Sequence, residues 1–86
     1  MAHIEAFHSS RGGYDFLGLR KGKSGATEIV YDDGVTRRLV WKVATPGADP
    51  RRIGEALSVA IENLSVVSAL RSELKKRSIA IESVNL

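Results

Sequence analysis

Apolar and polar residues alternate most clearly from Thr27 to Ala44, on either side of the dipeptide Asp33-Gly34. A period of two residues predicts β-strands, and Asp-Gly is a strong turn signal for a hairpin. One predicted face is apolar, whereas the other carries charged residues and two valines, which is typical of an antiparallel sheet covered on one side. The apolar face comprises Ile29, Tyr31, Val35, Leu39, Trp41 and Val43.

The register of this hairpin depends on the length of its loop. A two-residue loop would set apolar side chains opposite charged ones across the two strands. A three-residue loop, Asp32 to Gly34, sets Tyr31 opposite Val35 and gives Gly34 the left-handed position of a bulge. The pattern therefore favours the three-residue loop.

Three shorter segments complete the predicted sheet. Residues 4–8 alternate loosely, residues 14–19 are aromatic-rich and follow a Gly-Gly turn, and residues 79–86 resemble a last strand. Aromatic residues favour strands, and paired glycines permit the positive φ angles of a turn. Together with the helix described next, the predicted order is β-β-β-β-α-β. This is a single α+β domain over residues 1–86, with a mainly antiparallel sheet and one long helix packed on one face.

The helical pattern runs from Asp49 to Arg77. Asp49 suits the N-cap, Pro50 suits the first helical position, and the basic residues at the far end suit the helix dipole. A continuous helix of this length would reach about 42 Å, whereas a compact chain of this size is about 30 Å across. Either the helix overhangs the domain or it breaks near residues 63–65. The pattern favours a continuous helix, because neither Gly nor Pro lies at the alternative breakpoint.

Apolar side chains follow two lines along this predicted helix. The line through Ile53 and Leu57 would face its own sheet, and a second line lies about 120° away from it. Together they are wider than one sheet needs, so we predict that the second line mediates pairing of identical subunits. The alternative is a larger intramolecular core that includes Phe7, Phe16 and Trp41. The predicted dimer interface consists of Val59, Val66, Leu70 and Leu74.

Composition supports a small domain that gains from self-association. A chain of 86 residues is only marginally stable alone. It has no cysteine, so neither disulfides nor thiolate metal sites can stabilise it. We predict a cytoplasmic location, because the first residues have neither the basic start nor the apolar core of a signal peptide. The longest apolar run is three residues, so no membrane-spanning segment is expected.

Charge provides the alternative function. Thirteen Lys and Arg residues against ten Asp and Glu residues give a net charge of +3, which permits an anionic partner without requiring one. Several cations lie near Tyr14, Phe16 and Trp41 in the predicted sheet, and nucleic-acid-binding surfaces combine cations with aromatic rings. The possible nucleic-acid contacts are Arg20, Lys21, Lys23, Arg37, Arg38 and Lys42.

No motif predicts catalysis. The segment from Gly18 to Ser24 has one residue too few for a phosphate-binding loop, and a β-type pattern follows it where a helix is needed. His3 and His8 would point to opposite faces of a strand, so no shared metal is expected. Serines are plentiful, but no Gly-x-Ser-x-Gly elbow occurs. We therefore predict no catalytic, cofactor-binding or metal-binding residues.

The sequence thus predicts a small non-catalytic interaction or regulatory protein that forms a homodimer and binds a protein partner. The alternative is a protein that binds single-stranded or duplex nucleic acid through its basic loop and hairpin. Light scattering and oligonucleotide binding across a salt series distinguish these hypotheses.

Overall fold

Five strands form one antiparallel sheet, and two helices lie between the fourth and the fifth strand. The computed structural model of this protein describes residues 5–84. The predicted α+β class is confirmed, but the element order is β-β-β-β-α-α-β because the helical segment is divided. The strands are β1 (Glu5–His8), β2 (Phe16–Lys21), β3 (Thr27–Asp32), β4 (Arg38–Val43) and β5 (Ile81–Ser83), and the helices are α1 (Pro50–Ala60) and α2 (Val66–Lys76).

The strands lie in the sheet in the same order as in the chain. Consecutive antiparallel strands place their connections at alternate ends of a sheet. The β1–β2 and β3–β4 loops therefore share one end, whereas the β2–β3 loop lies at the opposite end. The last strand is shorter than predicted, and residues 4, 85 and 86 of the predicted strands lie outside the described part of the chain.

The β3–β4 hairpin has a longer loop than the sequence indicated. Tyr31 pairs with Leu39 and Asp32 with Arg38, so the loop contains residues 33–37 and the predicted three-residue loop is wrong. The register differs by four residues, an even number, so each strand residue keeps its predicted face. Only Val35 leaves the apolar face, because it now lies in the loop.

The core lies between the two helices and one face of the sheet. Phe7, Leu17, Tyr31 and Leu39 occupy one row across the first four strands. Trp41, on the next inward row, is buried. A single apolar cluster joins these rows to both helices. Its buried helical members are Ile53, Ala56, Leu57, Ala60, Val66, Leu70 and Leu74.

Within residues 5–84, no helix covers the other face of the sheet. Gly18, Val30 and Val40 form a small-residue row across its centre, and both valines are buried although no second layer covers them. Phe16, Arg20 and Arg38 on the neighbouring rows flank Val30. This explains why two valines interrupt the charged face of the predicted hairpin.

The predicted continuous helix is wrong, and the chain takes the alternative of two shorter helices. α1 begins as expected, with Asp49 at its N-cap accepting a hydrogen bond from Arg51 N at 2.9 Å and with Pro50 at its first turn. It ends at Ala60, and residues 61–65 form a linker before α2. Each helix of eleven residues is about 16 Å long, which fits a molecule measuring 33 × 27 × 21 Å.

Burial explains why the helix breaks without Gly or Pro. A straight helix would turn the second apolar line away from the sheet, whereas the break lets both helices bury their apolar faces in the same core. The linker tightens as it leaves α1, since Glu62 N donates to Val59 O at 3.3 Å and Asn63 N to Ala60 O at 3.0 Å. The Asn63 side chain then accepts from Ser65 N at 2.9 Å, a turn geometry that competes with helix.

Candidate functional site

Three of the four side chains assigned to a dimer interface belong to this subunit's own core. Val66, Leu70 and Leu74 are buried among the helices and strands, so they form no surface. Their burial removes the reason for which the sequence placed them at an interface. Only Val59, in the last turn of α1, remains half exposed. A partner surface must therefore be sought among other residues.

The six cations assigned to nucleic acid lie in two groups, although Arg20 and Arg38 line one hollow of about 60 Å³ on the uncovered face of the sheet. Arg20, Lys21 and Lys23 lie at or near the β2–β3 loop, and Lys42 of β4 is on the same cross-strand row as Arg20. Arg37 and Arg38 lie at the opposite end, where Arg38 faces Asp32, the last residue of β3. Arg38 and Lys42 are four residues apart on β4, so even these members of the two groups have Cα atoms about 13 Å apart.

Carboxylates also offset several of these cations. Arg20 Nε donates to Glu28 Oε1 at 2.9 Å, and Glu28 is paired across the sheet with Lys42. Asp32 and Arg38 also occupy facing positions on β3 and β4. Opposite charges on facing strand positions lower the field that a polyanion would meet on the uncovered face of the sheet.

Three connections meet at the other end of the molecule: the β1–β2 loop, the β3–β4 loop and the α1–α2 linker. Glu62 of the linker accepts hydrogen bonds from Ser9 Oγ at 3.0 Å and from Ser10 N at 2.9 Å. Arg11 Nη1 donates to the Glu62 carbonyl oxygen. Hydrogen bonds from Ser10 and Ser9 hold the pKa of Glu62 below its usual value. The Glu62 carboxylate thus attaches the linker to the β1–β2 loop, and these hydrogen bonds stabilise its ionised form.

Asp33 organises the β3–β4 loop. Its Oδ1 accepts from Val35 N at 2.8 Å, from Arg37 N at 3.0 Å and from Thr36 N at 3.1 Å. Backbone hydrogen bonds from Val35 and Arg37 accordingly lower the pKa of Asp33. One carboxylate therefore satisfies three consecutive N–H groups, which explains how a five-residue loop replaces the predicted tight turn.

Gly34 brings this loop against the β1–β2 loop. Its φ angle of 79° is the predicted left-handed conformation, and a Cβ placed there would lie 2.5 Å from Tyr14 Cβ and 2.9 Å from Tyr14 O. Such a distance is far inside van der Waals contact, so only glycine fits. The two loops therefore touch through backbone at this point.

The tips of these three connections carry large apolar side chains into solvent. Leu64 is 90% exposed, Tyr14 is 85% exposed and Val35 is 81% exposed. Val59, at 50%, lies in the last turn of α1, next to the same linker. We call the set Tyr14, Val35 and Leu64 the loop-end surface. Within residues 5–84, every large apolar side chain that is exposed lies on it or at Val59.

A hollow of about 290 Å³ adjoins this surface between the β3–β4 loop and the start of α2. Leu64 and Val67 supply apolar lining, and Arg37 and the Tyr31 ring lie across from them. Burial raises the pKa of the Tyr31 hydroxyl, and the nearby Asp15 carboxylate adds to the effect. A protruding leucine thus lies next to a space that could receive an apolar side chain.

Metal and membrane criteria add little to this description. No group of three His, Asp or Glu side chains within residues 5–84 is placed to hold a metal ion. His3 lies outside the described part, and His8 packs its ring 6.0 Å from that of Phe16. Neither described helix has the length and apolar character that crossing a bilayer requires.

No protein family, curated protein or solved structure matches the chain. The function of the chain must therefore be inferred from the geometry of residues 5–84. Sequence periodicity missed the loop-end surface, because Tyr14 and Val35 were assigned to strands and Leu64 to a helix. The available signal was the turn chemistry beside each residue, namely Gly13, Asp33-Gly34 and Asn63.

Proposed function

We propose that this chain is a non-catalytic interaction protein that pairs with a second copy of itself through the loop-end surface. The observation that supports it is the exposure of Tyr14, Val35 and Leu64 on three adjoining connections. Single exposed apolar residues are common, but a group of them at one end of a small domain is typical of a protein interface. Tyrosine is also among the residues that are enriched in such interfaces.

The surface has a form that suits two-fold pairing. In an isologous dimer the same patch meets itself, so a protrusion on one copy must find a recess on the other. Leu64 protrudes beside a hollow lined by Tyr31, Arg37 and Val67. A two-fold axis near this point would place each Leu64 at the hollow of the opposite copy.

The hydrogen bonds at the base of the loops support the same proposal. Association loses free energy when mobile loops must become ordered. Here Glu62 fixes the linker to the β1–β2 loop, Asp33 fixes the β3–β4 loop, and Gly34 packs against Tyr14. The apolar tips are therefore presented by loops that are already ordered. A different protein partner would use the same side chains and would compete with the second copy.

Light scattering behind a sizing column tests this proposal. We expect a dimer for the wild-type chain at high micromolar concentration and a monomer for Leu64→Glu, because the new carboxylate would be desolvated in the interface. Ser72→Glu is the control, since Ser72 is exposed in the middle of α2 and away from the three connections. Both variants change exposed positions, so at protein concentrations too low for pairing their unfolding midpoints should stay near that of the wild type.

Two results would contradict the proposal. A wild-type chain that remains monomeric at the highest soluble concentration shows that it does not pair with itself. A Leu64→Glu variant that remains as dimeric as Ser72→Glu shows that pairing uses another surface.

A further inference from the structure

A second hollow lies at the opposite end of the sheet, beside the β2–β3 loop. Its volume is about 630 Å³, and it is lined by Arg20, Lys21, Gly22, Lys23 and Ser24 together with Glu28 and Val84. The loop is a compact turn in which Gly22 N donates to Ala26 O at 2.7 Å and Gly25 N to Gly22 O at 3.0 Å. It is separate from the loop-end surface and takes no part in the proposed pairing.

Positive charge in this hollow exceeds negative charge. Three cationic side chains line it against one carboxylate, and that carboxylate already accepts a hydrogen bond from Arg20 Nε at 2.9 Å. Within residues 5–84, Lys21 Nζ reaches only Gly25 O, at 3.5 Å, and Lys23 makes no hydrogen bond through its ammonium group. Two lysines therefore point their charge at solvent with no carboxylate bonded to them.

Glu28 orients the arginine. Its carboxylate lies so close to Gly22 that a Cβ on Gly22 would be 2.6 Å from Oε2. The Arg20–Glu28 pair is partly buried, and it uses Nε, which leaves the two terminal guanidinium nitrogens without an acceptor in residues 5–84. A guanidinium held in this way can offer parallel N–H groups to an anion without first losing side-chain freedom.

The backbone of the turn contributes further donors. Lys23 N and Ser24 N lie at its tip and have no acceptor in the described part of the chain. Consecutive N–H groups in a turn, together with cationic side chains, are a recurring arrangement around phosphate groups. The Ser24 hydroxyl adds a neutral donor beside them.

We propose that this hollow binds a phosphate group, as a free ion or ester, through Arg20, Lys21, Lys23 and the N–H groups of the turn. The charge excess selects an anion, and the guanidinium fork and the turn amides suit an anion with several oxygens. The phosphates of a nucleic-acid backbone and those of small molecules share this chemistry.

An NMR titration of the full chain with inorganic phosphate tests the proposal, with sodium chloride at equal ionic strength as the reference. We expect saturable shifts of the amide signals of residues 22–25 and of Arg20 Nε. Lys23→Gln should weaken binding about five-fold, the effect of losing about 1 kcal/mol at an exposed ion pair. Lys75→Gln is the matched control, because it removes the same charge from an exposed position on α2.

Labelled single-stranded and duplex oligonucleotides distinguish the source of the phosphate. Oligonucleotide binding that inorganic phosphate displaces and that Lys23→Gln weakens supports the site with a nucleic-acid backbone as its source. Phosphate binding without oligonucleotide binding supports the site with a small phosphorylated ligand. Shifts spread over all exposed lysines, equal losses in both variants, or no saturation with phosphate would overturn the proposal.

Discussion

Replacement of Gly34 by alanine tests whether the loop-end surface is built as described. Gly34 has a φ angle of 79°, and a Cβ there would lie 2.5 Å from Tyr14 Cβ. Gly25 provides a matched control, because its φ angle is 83° and a Cβ there would meet no atom within 4 Å. Both glycines lie in hairpin loops, so the two variants share the conformational penalty and differ in the collision.

The expected losses in the free energy of unfolding follow from the penalty of the left-handed conformation and from the collision with Tyr14. The left-handed conformation costs alanine about 1–2 kcal/mol, of which about 0.4–1 kcal/mol is offset by the lower entropy of the unfolded chain. Gly25→Ala should therefore lower the free energy of unfolding by about 1 kcal/mol. Gly34→Ala must also separate carbon atoms by about 1 Å, and such overpacking costs about 1–3 kcal/mol more. Its total effect should be about 2–4 kcal/mol.

Urea denaturation followed by tryptophan fluorescence measures this difference, because Trp41 is buried in the core. Thermal unfolding gives a second value, since 1 kcal/mol shifts the midpoint of a domain of this size by about 4–8 °C. Equal destabilisation by the two substitutions would show that the β1–β2 and β3–β4 loops do not touch at Gly34. It would also remove the ordered loops on which the proposed pairing depends.

Three further outcomes follow from the packing and the pKa values. Leu70→Ala should destabilise the fold by about 2–5 kcal/mol, as expected of a fully buried leucine. Leu70→Glu should unfold the chain without giving a soluble monomer. A stable, soluble Leu70→Glu chain would contradict the core described above. Val59→Ala should cost less than about 1 kcal/mol in the same denaturation assay, because its side chain is half exposed. The pKa of Glu62 is lowered in the folded state, so its contribution is present above the ordinary glutamate pKa and is lost as the pH falls through the lowered value. Glu62→Gln should therefore reduce the free energy of unfolding near neutral pH and make it fall less steeply as the pH is lowered. Glu55→Gln is the control, because the Glu55 carboxylate makes no hydrogen bond within residues 5–84. It should leave the dependence of stability on pH unchanged.

Local patterns predicted the strands well where side-chain alternation was clear. The faces of β3 and β4 were correct although the loop length was wrong, because the error in register was an even number of residues. The Asp49 N-cap and the Pro50 start of the helix were also correct, since capping depends on neighbouring residues alone. Gly34 was assigned a left-handed conformation for the same local reason.

The candidate site could not be predicted in the same way. The cations of the β2–β3 loop and those near Arg37 would cluster if the loop and the hairpin shared a face, but antiparallel pairing places the two groups toward opposite ends of β3. The loop-end surface joins Tyr14, Val35 and Leu64, which are far apart in the chain and come together only through Glu62 and Gly34. Patterns among neighbouring residues do not predict the distances between these three side chains in the folded chain.

The amino-acid sequence alone determined the α+β class, the inward faces of the strands and the start of α1, because each depends on periodicity or on contacts between near neighbours. Tertiary structure decided where the helical segment ends. Local propensity permits a continuous helix through Asn63, but only the break lets Val66, Leu70 and Leu74 reach the sheet that Ile53 and Leu57 already cover. The free energy gained by burying both apolar lines in one core exceeds that of a few additional helical hydrogen bonds. The linker that the break creates also places Leu64 at the surface.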